Sequence, residues 1–173
     1  MKNIISSLLV FGLAFGSAYA QTEAQSLPES DLTIASGDET LSLTIELADE
    51  PEELATGLMF RDGIADDRGM LFDFGDPREV NMYMRNVSFG LDMLFLDETG
   101  EVMAIAQYVQ PESERLINPG MPVKGVLEIG AGRAKALGIE PGDVVEHPMF
   151  TAEADPIELD GLSGDEADSS EAE

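Results

Sequence analysis

The sequence predicts an α+β fold: a mainly antiparallel sheet, closed or nearly closed into a barrel, with two short helices. Three observations carry that expectation. Apolar and polar residues alternate in short runs of strand length. Clusters of Gly, Pro and Asp divide those runs. Only two segments carry helix-start and helix-stop residues, and both are short. Closing such a sheet would also hide its strand edges.

Residues 1–20, MKNIISSLLVFGLAFGSAYA, have the organisation of a secretory signal. Lys2 supplies the positive start, an apolar stretch follows, and Ala18 and Ala20 supply the small residues before cleavage. The stretch is short for a membrane span, and no later one replaces it. The expected location is periplasmic or secreted, without integral membrane association. With no cysteine in the chain, a lipid anchor at the cleavage site and disulfides are both excluded. Removing the signal leaves 153 of the 173 residues, the length of one domain. Residues 21–38 are polar and read as a flexible arm, and 39–150 as a single β-rich domain. Residues 151–173 read as a disordered acidic tail.

Within the domain, Leu41, Leu43, Ile45 and Leu47 alternate with polar residues and predict a half-buried strand. Asp49 as N-cap, Pro51, Glu52 and Glu53 in the first turn and Gly57 at the end predict a short helix. Gly69 to Phe74 predicts a strand, and Met82 to Met84 another. Leu91–Leu96 and Val102–Val109, joined by the turn Asp97-Glu98-Thr99-Gly100, predict a β-hairpin. Val123–Ile129 predicts a further strand. Arg133–Leu137 predicts a helix closed by Gly138. A turn at 139–143, with Asp143 closing it through its side chain, leads to a last strand at Val144-Val145.

The net charge is −26. Nine acids fall in residues 151–173 and one base in residues 1–20, which leaves −18 for residues 21–150. Such a field repels phosphate backbones, so a nucleic-acid partner is not expected. A monomer is expected, with a small molecule or another exported protein as partner. No cofactor is expected.

Three segments occur in a recognisable order. They are Gly57-Leu58-Met59-Phe60-Arg61 with Gly69-Met70-Leu71-Phe72; Met84-Arg85-Asn86 with Leu91-Asp92-Met93-Leu94; and Val126-Leu127-Glu128-Ile129 with Gly138 and Gly142-Asp143. In order and spacing the chain resembles the domain of unknown function 192 family over residues 41–146. The resemblance implies a compact, β-rich, often exported domain and brings no activity with it. The chain departs from the family's pattern at Gly90, where proline is usual, and in having no cysteine between residues 110 and 122.

Arg61, Arg85, Asn86 and Asp92 are polar residues set among apolar ones. Buried charge has to be paired. Arg61 or Arg85 forking onto Asp92 is therefore one expectation, as a scaffold pair. The other makes these four a ligand site, with guanidinium groups binding an anionic or saccharide-like molecule. Glu128 is expected to face water or Lys124. Two alternatives accompany this reading. One is a hydrolytic enzyme acting on envelope polymers, although the sequence offers no nucleophile–base motif. The other is periplasmic copper held by methionines such as Met82 and Met84, with His147; packing is the commoner use of Met.

Overall fold

The computed structural model describes residues 23–151. The expected signal at 1–20, and the expected tail beyond Thr151, lie outside the described residues. Seven strands form one sheet: β1 (Glu29–Ser36), β2 (Glu39–Ala48), β3 (Arg68–Arg78), β4 (Leu91–Leu96), β5 (Val102–Val109), β6 (Val123–Gly130) and β7 (Val144–Glu146). Helix α1 (Pro51–Thr56) lies between β2 and β3, and α2 (Arg133–Leu137) between β6 and β7. The strand order is β5-β4-β6-β3-β2-β1-β7.

The sheet is mixed: five of its six strand pairs are antiparallel, as expected, and one is parallel. β2 and β3 run parallel, from Thr44 opposite Arg68 to Ala48 opposite Phe72. The chain between them contains α1, and a connection of that length can cross over and return in the same direction. The helix starts one residue later than Asp49 suggests: Glu50 is the N-cap. The Glu53 carboxylate accepts from the amides of Asp49 and Glu50, each at 3.3 Å. The predicted hairpin forms, as β4 and β5 pair antiparallel.

The expected closure does not occur. The sheet is an open half-barrel with β5 and β7 at its edges. The edges touch at one end only, through the bridge Glu101–Val144 and a 2.8 Å bond from Val145 N to Gly100 O. β7 has three residues and β5 has eight, so β7 cannot cover the length of β5.

The expectation of a flexible arm over 21–38 is also corrected. β1 begins at Glu29 and is paired on both sides, with β2 and with β7. Leu32 and Ile34 are buried in the core. The two-residue turn Gly37-Asp38, with Gly37 at φ 58°, closes β1 onto β2 as a tight hairpin. Ahead of β1, Leu27 N donates to Glu46 Oε2 at 2.7 Å, which fixes the approach. The strand expected at Met82–Met84 is reduced to a single bridge, Met82 with Ile117, because Asn86 turns the chain at φ 58°.

Side chains alternate across the sheet and build a core on each face. Leu32, Ile45, Leu71, Leu94 and Leu127 belong to one core, and Met70, Phe72, Met93, Phe95 and Val126 to the other. β4 is buried at all six positions, which explains its unbroken apolar run. The second core is covered by α1, the turn after it and the segment that runs from β3 to β4. That cover leaves the cavity described next.

Candidate functional site

A cavity of about 410 Å³ opens beside α1. Its walls come from α1 and the following turn (Leu54, Thr56, Met59), from β3 (Phe72, Phe74) and from the segment after it (Val80, Met82, Tyr83). Gly57 shapes the turn: it sits at φ 49°, and a Cβ there would lie 3.0 Å from the Phe72 ring. Arg78 and Glu79 line the cavity and are themselves exposed, which marks its mouth. The Arg78 guanidinium stacks on Phe74, 5.0 Å from the ring centre.

One polar group stands out in this lining. Glu128 of β6 is only 4% exposed and borders the cavity. Its neighbours across the sheet are Met70 on β3 and Met93 on β4, both fully buried. Desolvation pushes its carboxyl up from the ordinary 4.5 to about 8. The side chain therefore carries its proton at neutral pH. Lys124, the partner expected from sequence, instead bonds Asp73 at 3.2 Å and Gly75 O at 2.9 Å. Lys124 and Glu128 are an even number apart, but the strand's irregular pairing near Asp73 and Arg78 takes Lys124 away from the cavity.

The four residues picked from sequence do not form one cluster. Arg61 forks onto Glu46, with bonds of 2.7 and 2.8 Å, and also donates to Gln25 O at 2.8 Å. That pairing holds Glu46 below the usual carboxylate range, with Arg61 as the main cause. Asp92 is fully buried and meets no guanidinium. Its Oδ1 accepts from Tyr108 N at 2.8 Å and its Oδ2 from Ala134 N at 3.0 Å. It thereby ties β5 to the first turn of α2, where Gly132 offers no side-chain cap. Arg85 is exposed, 3.6 Å from Glu114 and stacked on Tyr83. Asn86 turns the chain in the left-handed region, and its carbonyl accepts from Phe60 N at 2.8 Å. Its side chain donates to Met59 Sδ at 3.8 Å. The first two motif segments do meet, through these bonds and through Ser88 Oγ donating to Arg61 O at 3.1 Å. Arg85 and Asn86 line a shallower hollow that shares Thr56, Met59 and Tyr83 with the main cavity.

The copper grouping is not assembled either. Met84 is fully buried in the second core, and Met82 lines the cavity. His147 is held elsewhere: Nε2 lies 3.1 Å from Ser30 Oγ, and Nδ1 accepts from Met149 N at 3.3 Å. Among the described residues no group of three His, Cys, Asp or Glu side chains could hold a metal ion.

The family model for domain of unknown function 192, described as an uncharacterised ACR, matches residues 32–147. The chain belongs to that family. Two solved structures of similar proteins agree with the fold of this DUF192 domain. One, from Sinorhizobium meliloti, is described as a "putative transcription regulator"; it is 40% identical, with a TM-score of 0.70 over 72% of this chain and 98% of its own. The other, a protein of unknown function from Novosphingobium aromaticivorans, is 33% identical, with a TM-score of 0.68 over 79% of this chain and 99% of its own. No curated protein matches the chain. Among the described residues no helix is long and apolar enough to cross a membrane.

The residue missed in this DUF192 chain is Glu128, the acid in its third motif segment. Its neighbours in sequence gave a faint signal. Val126 to Ile129 is apolar apart from this one residue, as expected of a central strand buried on both faces. An acid in such a run has no water-facing side to turn to.

Proposed function

We propose that this domain is an exported, non-catalytic binding protein for a small molecule, with the cavity at Glu128 as its site. The observation that carries this reading is a buried carboxyl, without a hydrogen-bond or ion-pair partner among the described residues, bordering a cavity of mixed lining. Buried polar groups are costly unless satisfied, and those left over commonly mark function. The volume is in the range of small-ligand pockets, and apolar side chains such as Leu54, Met59 and Phe72 share the lining with polar ones. The anion or saccharide site expected at Arg61 and Asp92 loses support, because both side chains are engaged in holding the fold. The signal-like residues 1–20 support export. The strong negative charge argues against contact with nucleic acid.

The hydrolase alternative has one observation in its favour. A protonated carboxyl with a raised pKa has the profile of a general acid. Acid–base hydrolysis needs a second carboxylate facing the same bond. The other acid of the cavity lining, Glu79, is exposed at the mouth and leaves that role without a buried candidate.

The test uses N-phenyl-1-naphthylamine, a neutral apolar fluorophore. It should bind the chain at one saturable site with enhanced emission. Ala55→Trp, at an exposed position of α1 on the cavity lining, should block it while leaving the circular dichroism spectrum intact. Absence of saturable binding by the unaltered chain would overturn the reading.

A further inference from the structure

We infer that the cavity takes a molecule with an apolar or aromatic body and one protonated amine, and that the Glu128 carboxylate is the counter-ion of that amine. This inference rests on the binding reading above and deepens it by naming the ligand's chemistry.

The first ground is that no cation among the described residues pairs with Glu128. Arg61 is on Glu46, Arg68 on Glu29, Lys124 on Asp73 and Arg133 beside Asp66. Arg78 shares the cavity but is stacked on Phe74 at the mouth. Burial alone accounts for the behaviour of Glu128, with no charged neighbour contributing. A cation for this carboxyl has to come from outside the described protein.

The second ground is what faces Glu128 from each element around it. β3 supplies Met70 and Phe72, and β4 supplies Met93. Around the cavity, α1 supplies Thr56, whose hydroxyl donates to Glu52 O at 2.8 Å. The segment after β3 supplies Arg78, Glu79 and Tyr83. Met70, Phe72 and Met93 are buried and bury the carboxyl between them. The rings of Phe72, Phe74 and Tyr83 line the same space and suit an aromatic ligand body, while Phe74 and Tyr83 already carry the Arg78 and Arg85 guanidinium groups. The third ground is the long-range field: a net charge of −26 attracts cations and repels carboxylates.

Binding is balanced in protons. An ammonium ligand enters, Glu128 releases its proton to solvent, and the ion pair remains. At pH 7 this ionisation lowers affinity about tenfold relative to its plateau, since the carboxyl's pKa lies one unit higher. A charge-assisted hydrogen bond to the buried carboxylate outweighs that loss.

The experiment uses three ligands with nearly the same body: phenethylamine, 2-phenylethanol and 3-phenylpropionate. Each displaces N-phenyl-1-naphthylamine from the chain at pH 6, 7 and 8.5. The amine should displace best at pH 8.5, and its affinity should rise by about 100-fold from pH 6 to 8.5. Calorimetry at pH 7 in buffers of different ionisation enthalpy should show release of close to one proton per amine bound. Glu128→Gln should keep the fluorophore and lose both the amine preference and the pH rise. The proton count on the unaltered chain tests the proposal without any variant. If the alcohol or the carboxylate displaces as well as the amine, or amine affinity is flat with pH, the amine assignment falls while the cavity reading stands. If the fluorophore itself fails to bind, the cavity reading falls and takes this inference with it.

Discussion

Replacing Glu128 with Gln should remove a pH-dependent penalty on folding, and the structure sets its size. The folded carboxyl titrates at about 8, against an ordinary 4.5. Below pH 4.5 folded and unfolded chains both hold the proton, and the group has no effect. Between 4.5 and about 8 the unfolded chain releases the proton while the folded chain keeps it, so stability falls as pH rises. Above about 8 both forms have released it and the loss is complete. Each unit of separation is about 1.4 kcal/mol, so the whole loss is about 3–5 kcal/mol once some water entry is allowed for. The Gln variant keeps the shape and has no proton to lose. Urea unfolding of both proteins at pH 5, 6.5 and 8 measures the difference. The other acids titrate alike in the two proteins and cancel. The stability of the variant relative to the unaltered chain should therefore climb by about 3–5 kcal/mol between the two ends of that range. A difference that stays constant from pH 5 to pH 8 would refute the claim that Glu128 is buried, unpaired and protonated.

Asp92→Ala should destabilise the domain by about 2–4 kcal/mol, because two backbone amides lose their buried acceptor; thermal unfolding checks it. Arg61→Met should cost about 2–4 kcal/mol by leaving Glu46 without its partner, and that loss should shrink as acid protonates Glu46; urea unfolding at pH 7 and pH 4 measures both. Arg85→Ala should change stability by no more than about 0.5 kcal/mol, as its ion pair is exposed. Burial lowers the His147 pKa from 6.5, so stability should drop as pH falls through 6.5, where the unfolded chain takes up a proton that the folded ring refuses; His147→Gln should flatten that part of the profile. Intact-mass analysis of the protein recovered from the periplasm or medium of an expressing bacterium should show loss of residues 1–20, and retention of the full 173 residues in the cell would refute export.

Periodicity and turn chemistry are local properties, and by themselves they determined the hairpin at 91–109, the strand at 123–129, the helix closed by Gly138 and the turn at 139–143. In that turn Asp143 Oδ2 accepts from Glu140 N at 2.9 Å, as its place after Pro141-Gly142 predicts. The order of three motif segments also determined the family. Strand direction and sheet closure were not legible in the same way. The same alternation of Leu41 to Leu47 suits a parallel or an antiparallel neighbour, and only packing of α1 over the sheet decides between them. Nor could spacing say which charge meets which. Arg61, Arg85 and Asp92 all have apolar neighbours in sequence, yet Arg61 meets Glu46 from β2, Arg85 faces solvent and Asp92 serves backbone amides. Pairings of that kind join residues 15 to 42 positions apart and depend on how the strands are ordered. Glu128 shows the difference most sharply. The sequence placed an acid on a strand beside Lys124; the tertiary structure put that strand between β3 and β4, buried both its faces, and left the carboxyl with a cavity as its neighbour.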